Sequence, residues 1–256
     1  MARKVIYTCL TSGYDVLQEP LSVSPEYDYI CFTDLPRAEK GSCWRLLPLP
    51  AEDTPVKAVR RYKILPHEIL GDYDWSVYMD ANIRILSQEF YDIIDRHIVE
   101  GTPWRGVPHP VRDCIWDETE ECWMKGKLPL KGLLSVSKTL KDTRFPRHFG
   151  LFENNLILRR HMDPAVIDTD KAWWAAFEKA PYRDQLCLMG AMREFHMEQC
   201  FIFEKGKCAR NVQSLAYTVH PGEQGKRGTQ PCPALKRFRR KCIAALRRCI
   251  FLVSKC

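Results

Sequence analysis

The segment from Asp74 to Asn82 constrains the fold more than any other stretch of this chain. Its apolar run, Trp75–Met79, ends abruptly in two polar side chains, Asp80 and Asn82. Such a run is typical of a buried strand whose carboxyl end presents both side chains to a cleft. Ligands of open α/β sheets bind outside the carboxyl ends of the strands, so we expect a site here. A carboxylate and an amide oxygen can hold a hard cation, and the cation can hold a diphosphate.

Strand-like runs alternate with helical patterns along most of the chain. The predicted strands are Lys4–Leu10, Tyr27–Thr33, Cys43–Leu49, Trp75–Met79, Ile83–Leu86, Trp104–Pro108 and Leu156–Leu158. The predicted helices begin at Pro55 (capped by Thr54), at Gln88 (capped by Ser87), at Val111, at Pro164 and at Arg183. Gln199–Phe203 and Val212–Val219 are expected to be extended. This alternation predicts an α/β fold, with a Rossmann-like sheet flanked by helices.

The net charge of +7 is concentrated at the carboxyl terminus. Residues 236–256 contain eight Lys or Arg and no Asp or Glu, so subtracting 8 from +7 leaves −1 for residues 1–235. A nearly neutral body disfavours a nucleic-acid groove through the fold, and we predict no nucleic-acid partner. A Gly/Pro/Gln-rich stretch precedes the tail. We therefore predict one domain over residues 1–220, a linker over 221–235 and a basic tail over 236–256.

Three further features bear on the cellular location. No apolar run reaches the roughly 18 residues of a transmembrane helix. The amino terminus enters a strand-like run without the apolar region of a signal peptide, so we expect a cytoplasmic chain. The 12 cysteines form neither Cys-x-x-Cys pairs nor a Cys/His array. We expect free thiols and no structural zinc site.

Six ordered segments resemble one known family, the turgor-defect/mucilage-related glycosyltransferase-like domain. They are Arg61–His67, Tyr73–Ile83, His109–Arg112 with Asp117 and Glu118, Gly150–His161, Trp173-Trp174, and Arg183–Leu186. Their order and approximate spacing fit, and the resemblance covers residues 4–205. It implies a GT-A-like fold and transfer of a sugar from a nucleotide-sugar.

That family is in turn similar to retaining GT-A enzymes of the galactosyltransferase and glycogenin kind. In those enzymes an Asp-x-Asp and a late His hold Mn²⁺ or Mg²⁺, and Asp80, Asn82 and His220 match these positions here. The metal would bridge the phosphates as a Lewis acid. Position 82 is Asn where the stricter enzymes carry Asp, and one carboxylate less weakens divalent-cation binding.

Other candidates surround the same strand ends. Lys63 would reach the phosphates from the helix that begins at Pro55, unless it only belongs to a solvated helix face. Thr8 and Gly13, near the end of the first strand, and Asp34, after the second, lie where GT-A folds bind base and ribose. Ordinary turn chemistry explains those residues equally well.

The sugar site is expected near Asp184 and Gln185, which begin a predicted helix. The resemblance implies that Asp184 binds donor-sugar hydroxyls and that Gln185 stabilises the anomeric carbon while the leaving phosphate deprotonates the acceptor. With Asp80, these two form the predicted catalytic set. An Asp in a first helical turn is also an ordinary dipole-favouring cap. Further residues could line the donor or acceptor sugar: Asn155, Glu153, Asn154, His109, Arg112 and Glu118.

The tail at residues 236–256 has an amphipathic helical pattern. Its apolar arc comprises Phe238, Cys242, Ile243, Ala245, Leu246, Cys249, Ile250 and Val253, and most Lys and Arg side chains fall on the opposite arc. A basic amphipathic helix suits an anionic membrane surface. The alternatives are a helix docked on the body and a disordered basic end.

The sequence thus predicts a glycosyltransferase that moves a sugar from a nucleotide-sugar, expected to be a uridine diphosphate (UDP) sugar, to a glycan or lipid-linked acceptor. Surface-polysaccharide assembly at the cytoplasmic membrane face would suit the basic tail. One alternative is a binding module that has lost turnover, which Asn82 favours. Another is a lipid-amide hydrolase, but the sequence has no ligand cluster for a metal-bound water.

Overall fold

A computed structural model describes residues 2–11, 14–35, 38–52, 54–179, 183–219 and 233–253. The strands are β1 (Lys4–Leu10), β2 (Tyr27–Thr33), β3 (Arg45–Pro48), β4 (Trp75–Met79), β5 (Ile83–Ile85), β6 (Trp104–Pro108), β7 (Phe152–Arg159) and β8 (Leu215–Tyr217). The helices are α1 (Pro55–Ile64), α2 (Glu89–Glu100), α3 (Ile115–Met124), α4 (Leu130–Asp142), α5 (Pro164–Lys179), α6 (Gln185–Glu194) and α7 (Pro233–Val253). A short 3-10 helix, Pro66–Glu68, follows α1.

Six strands form a mixed sheet in the order β3-β2-β1-β4-β7-β6. Neighbours from β3 to β4 are parallel, whereas β7 is antiparallel to both β4 and β6. The carboxyl ends of β1, β2 and β4 therefore lie at the same edge as the amino end of β7. At this edge Met79 pairs with Leu156, and the N–H of Asp80 donates to the carbonyl of Asn155 over 2.9 Å.

Each face of the sheet carries an apolar core because successive side chains of a strand point to opposite sides. Tyr7 and Tyr78 contribute to the core that α1, α3, α4, α5 and α6 cover. Ile6 and Val77, their neighbours in sequence, contribute to the opposite core with Phe90 of α2. The predicted α/β class, a sheet flanked by helices, is confirmed.

Local signals gave several boundaries correctly. Strands β1, β2, β4 and β6 have the predicted bounds. Helix α1 begins at Pro55, and the hydroxyl of Thr54 accepts a hydrogen bond from the N–H of Lys57 over 3.2 Å, as a capping residue does.

Other predictions differ from the structure. The N-cap of α2 is Gln88, so the predicted cap at Ser87 is wrong. Strand β5 leaves the central sheet and pairs with β8 in a separate two-stranded sheet. Strand β7 begins at Phe152 because polar residues at its amino end still pair with β6, which the apolar run alone does not indicate. Helix α4 is not predicted from the sequence.

Helix α7 docks against α3. The indole N–H of Trp123 donates to the carbonyl of Arg239 over 3.3 Å, and Arg239 donates to the carbonyl of Met124 over 2.8 Å. Arg247 binds the carboxylate of Glu120 with two donors. Three apolar side chains of α7 pack against the core: Cys242, Ile243 and Leu246.

The docked arrangement covers part of the arc that the sequence assigned to a membrane. Phe238, on the same arc, remains 52% exposed. Within the described residues, no helix combines the length and the apolar character needed to cross a bilayer.

Candidate functional site

A cavity of about 570 Å³ opens at the carboxyl end of β4 and the amino end of β7. Its walls come from α1, α3, β7, the start of α6 and the β8 region. The lining residues are Tyr14, Val56, Arg60, Lys63, Asp80, His109, Arg112, Glu118, Glu121, Cys122, Lys125, Lys127, Glu153, Asn154, Asn155, Phe177, Arg183, Asp184, Gln185, Arg210, Tyr217 and Val219. A smaller cavity of about 70 Å³ shares Tyr14, Arg60 and Asp80 with it and extends to Cys9 and Thr11 beside β1.

An ion-paired cluster of four residues lines one side of this cavity. The ammonium of Lys63 lies 3.1 Å from Oδ2 of Asp184 and 3.6 Å from Oδ1 of Asp80. Nε of Arg60 lies 3.1 Å from Oδ1 of Asp184. The hydroxyl of Tyr78 donates to Oδ1 of Asp80 over 2.7 Å. The side chain of Lys63 is only 3% exposed, so these carboxylates compensate a charge that is largely shielded from water.

A buried arginine fixes the helix end that carries Lys63. Arg159 of β7 is 0% exposed and donates to the carbonyls of Lys63 and Ile64, over 2.6 and 3.2 Å. It also donates to the hydroxyl of Tyr7 over 2.6 Å and pairs with Asp170 over 2.9 Å. Arg159 thereby satisfies carbonyls that the end of α1 leaves without helical partners. In the sequence, the only indication of this role is that Arg159 directly follows the apolar run Leu156–Leu158.

Asp184 is held in its ionised form. Burial opposes ionisation, but Arg60 and Lys63 outweigh it and keep the pKa of Asp184 well below its usual range. The carbonyl of Asp184 accepts a hydrogen bond from the indole N–H of Trp173 over 2.8 Å. Asp184 therefore orients the two cations. It also lines the cavity, where the sequence analysis predicted that it binds sugar hydroxyls.

The polar floor of the cavity has unused hydrogen-bonding capacity. Asn154 and Asn155 are 6% and 5% exposed, and neither carboxamide has a partner for its nitrogen or its oxygen. Buried polar groups in native proteins normally have partners, so such atoms call for a ligand or water. Gln185 differs, because its amide donates to the carbonyl of Phe152 over 2.8 Å and accepts from Arg183 over 3.2 Å.

A second group of charges lies on the α3 side of the cavity. The guanidinium of Arg112 donates to Glu118 over 2.5 Å, and Nε2 of His109 lies 3.7 Å from the same carboxylate. Nδ1 of His109 accepts from two backbone N–H groups, which leaves the proton on Nε2 in the neutral ring. Burial lowers the pKa of His109. Glu153 pairs with Arg210 on the neighbouring wall.

The structure brings ten of the residues named in the sequence analysis into one cavity: Asp80, Lys63, Asn155, Asp184, Gln185, Glu153, Asn154, His109, Arg112 and Glu118. It also adds Arg210 and Tyr217, which lie outside every resembling segment. Tyr217 belongs to β8, which pairs with β5, and Arg210 lies over the Tyr217 ring and pairs with Glu153.

Three other candidates lie outside this cavity. Thr8 is 1% exposed within β1, and its hydroxyl has no partner. Asp34 follows β2 and lines neither cavity. Asn82 is 1% exposed, and its amide donates to the carbonyl of Thr218 over 2.7 Å. Gly13 and His220 lie outside the described residues.

The described residues alone do not assemble a divalent-metal cluster. They contain no group of three or more His, Cys, Asp or Glu that could hold an ion. The amide nitrogen of Asn82 donates to a backbone carbonyl, whereas its Oδ1, the atom that would ligate a cation, is buried and has no hydrogen-bond partner. Asp80 faces the ammonium of Lys63. A metal bound to Asp80 would therefore compete with a buried cation. The metal set of Asp80, Asn82 and His220 stays a prediction.

Comparisons with known proteins give a distant structural likeness. No family model matches the sequence, and no curated protein matches it. Among solved structures, the chain is similar to the apo structure of the bifunctional glycosyltransferase WbbM, with 9% sequence identity and a TM-score of 0.45. The likeness covers 78% of this chain and 38% of that chain. This chain therefore spans well under half the length of that structure.

Proposed function

We propose that this protein is a glycosyltransferase that moves a sugar from a nucleotide-sugar, most simply a UDP-sugar, to a glycan or lipid-linked acceptor. The observation that carries the proposal is the 570 Å³ cavity, which is lined both by two cations, Lys63 and Arg60, and by the unpartnered carboxamides of Asn154 and Asn155. Cations suit a diphosphate, and carboxamides suit sugar hydroxyls.

The diphosphate is assigned to Lys63 and Arg60. Catalysis of sugar transfer requires stabilisation of the negative charge that develops on the leaving phosphates. Arg60 can bind phosphate through a planar fork, and Lys63 acts as a point charge. Arg159 fixes the backbone at Lys63. The ammonium of Lys63 is therefore positioned before the donor arrives. The smaller cavity beside Thr11 and Tyr14 is the natural place for the nucleoside.

The sugar is assigned to the floor formed by Asn154 and Asn155, next to Gln185. Each carboxamide offers a donor and an acceptor, which matches the dual character of a hydroxyl. Gln185 is held by Phe152 and Arg183 on its two sides, so its oxygen can face the anomeric carbon without further ordering.

The charge pattern of the cavity supports transfer with retention of the anomeric configuration. All five carboxylates that line the cavity are ion-paired: Asp80, Glu118, Glu121, Glu153 and Asp184. The neutral ring of His109 carries its proton on Nε2 and cannot accept another there. An inverting transfer needs a free base for the acceptor, whereas a retaining transfer can use the leaving phosphate.

The proposal is tested by calorimetry of UDP binding to the full chain, with and without Mn²⁺. We expect binding that Lys63→Met weakens by at least about tenfold, which corresponds to about 1.4 kcal/mol. Lys131→Met, at an exposed position on α4, is the matched control and should bind as the wild type does. Absence of binding to uridine, guanosine and cytidine diphosphates, with metal and without, would refute the donor site.

A binding module without turnover is the second candidate. The observation that favours it is the same set of ion-paired carboxylates, because no side chain in the described cavity is poised as a base. Nucleotide-sugar binding without release of the sugar, in the presence of a broad acceptor panel, would favour this candidate. The hydrolase alternative has no support from the described residues, which contain no metal-ligand cluster.

We also propose that the outer face of α7 binds an anionic membrane surface from the cytoplasmic side. Arg237, Lys241 and Arg248 repeat at helical spacing on the side opposite the docked residues Cys242 and Leu246. The 52% exposed ring of Phe238 borders this stripe. Because α3 lies between α7 and the cavity, such binding would bring the cavity near lipid headgroups, where a lipid-linked acceptor for surface polysaccharide would be found.

A further inference from the structure

We propose that the cavity contains a subsite for the carboxylate of an acidic sugar, and that the guanidinium of Arg183 binds it. The inference rests on the proposed sugar transfer and names the class of saccharide that the same cavity takes. The acidic sugar is either the sugar of the donor or a residue of the acceptor, since both would present the same group.

Arg183 is a cavity-lining cation without a carboxylate of its own. Its Nη2 donates to the neutral amide of Gln185 over 3.2 Å. Its Nε is buried and has no hydrogen-bond partner. None of the ion pairs between described residues includes Arg183, and the neighbouring carboxylate of Asp184 is taken by Arg60 and Lys63. A buried donor without a partner is costly, so a ligand that satisfies it gains affinity.

The charge balance of the cavity points the same way. Seven lining residues are cationic and five are anionic, which leaves an excess of two positive charges. The anionic five already have cationic partners at Lys63 and Arg60, Arg112, Lys125 and Arg210. Arg183 lies outside these five pairings, so an anionic ligand group beside it meets a positive charge that these ion pairs do not neutralise.

Arg183 differs from the proposed phosphate cations in its hydrogen-bond partner, because it donates to Gln185. Its charge acts on two neighbours: it opposes the rise to about 12 that burial causes in the pKa of the Cys122 thiol on α3, and it helps Arg60 and Lys63 to lower the pKa of Asp184. The phosphate cations Lys63 and Arg60 instead belong to α1, where they face Asp80 and Asp184. The carboxamides of Asn154 and Asn155 line the same cavity as both groups.

The donors of the Arg183 guanidinium fit a sugar carboxylate better than a single hydroxyl. A guanidinium presents parallel N–H donors that match the two oxygens of a carboxylate. Because Nη2 is engaged with Gln185, the free donors are on the remaining nitrogens, including the buried Nε. Sugar hydroxyls next to the carboxylate would meet the unpartnered carboxamides.

The experiment compares acidic and neutral ligands by calorimetry on the full chain. The donor arm uses UDP-glucuronate against UDP-glucose. The acceptor arm uses free glucuronate against its methyl ester, both in the presence of saturating UDP and in its absence. Arg183→Gln removes the charge, Arg183→Lys keeps the charge but not the fork, and Arg96→Gln, at an exposed position of α2, is the matched control.

In one arm we expect the acid to bind at least about tenfold more tightly than its neutral counterpart. The preference should vanish in Arg183→Gln, fall only in part in Arg183→Lys and persist in Arg96→Gln. The arm in which it occurs assigns the carboxylate to the donor or to the acceptor. Equal binding of acid and neutral ligands in both arms overturns the proposal, as does a preference that survives Arg183→Gln.

Two results separate this inference from the proposed function. If Arg183→Gln weakens UDP itself as much as UDP-glucuronate, Arg183 is a phosphate ligand and the carboxylate subsite is refuted while the transferase stands. If wild-type protein does not bind UDP, the proposed function fails, and the acceptor arm without UDP still decides whether Arg183 selects a carboxylate.

Discussion

The guanidinium of Arg159 donates a hydrogen bond of 2.6 Å to the main-chain carbonyl of Lys63. This contact joins strand β7 to the end of α1, across 96 residues of sequence. It ties the position of a cavity cation to the buried pair of Arg159 with Asp170, and so connects the stability of the core to the geometry of the site.

We predict that Arg159→Met destabilises the protein by about 3–5 kcal/mol, because it leaves the carboxylate of Asp170 buried without its partner. Urea unfolding followed by circular dichroism measures the change. Arg160→Met alters the neighbouring residue, whose side chain is 45% exposed, and should cost well under about 1 kcal/mol. Equal effects at the two positions would contradict the role given to Arg159.

The second prediction concerns His161, which is 0% exposed and donates from Nε2 to the carbonyl of Leu70 over 2.8 Å. Burial lowers its pKa from 6.5 to about 4. Between these values the unfolded chain binds a proton that the folded protein does not, so stability falls as the pH drops. The free energy of unfolding that is lost through protonation of His161 in the unfolded chain should reach about 3 kcal/mol.

Unfolding free energies of wild type, His161→Gln and His196→Gln between pH 7.5 and 4.5 test this expectation. His161→Gln should show a shallower pH dependence over that range. His196 is exposed, so its replacement should leave the slope unchanged. If the unfolding free energies of wild type and His161→Gln fall in parallel as the pH drops, the buried ring does not cause the loss of stability at acidic pH.

The third prediction concerns Asp184→Asn. The substitution removes the main counter-charge of Lys63, so we expect a loss of about 3 kcal/mol at neutral pH. The pKa of Asp184 is lowered in the folded protein, so its stabilising contribution is present above the ordinary value of 3.8 and is lost as the pH falls below it. The stability gap between the two proteins should therefore narrow below pH 3.8.

The same variant should bind UDP more tightly than wild type when folded, because one negative charge is removed beside the proposed phosphate site. Calorimetry under conditions where circular dichroism shows the folded state measures this change. Glu121→Gln, which changes a cavity carboxylate on α3 that pairs with Lys125, is the control. Weaker UDP binding in Asp184→Asn would mean that the orientation of Lys63 and Arg60 by Asp184 matters more for UDP than the repulsion from its charge.

The fourth prediction concerns the outer face of α7. Replacing Arg237, Lys241 and Arg248 together by Gln should lower the affinity for vesicles containing phosphatidylserine by about 3 kcal/mol, since each cation near such a surface contributes about 1 kcal/mol. Co-sedimentation at low and high salt measures the effect. The matched triple variant replaces Lys131, Lys138 and Lys141 of α4. Equal losses in both variants would indicate a non-specific charge effect.

Sequence patterns determined the elements with strong local signals. The apolar run at Trp75–Met79 and the Thr54-Pro55 cap gave β4 and the start of α1, because burial periodicity and capping depend on neighbouring residues. They also placed Asp80 at a strand end that borders a cavity. The same reasoning failed at Ser87, since the N-cap position of α2 is Gln88, which makes no side-chain capping hydrogen bond, and it did not detect α4.

Only the tertiary structure decided which charges meet. Asn82 and Asp80 are two residues apart, yet Asn82 turns to a backbone carbonyl and Asp80 faces Lys63. Arg183 and Asn154 share the cavity although 29 residues separate them in the printed sequence. The apolar arc of α7 contacts α3, a choice that its amphipathic pattern leaves open. Periodicity reports whether a side chain is buried, whereas its partner is fixed by strand order and helix docking, which bring distant residues together.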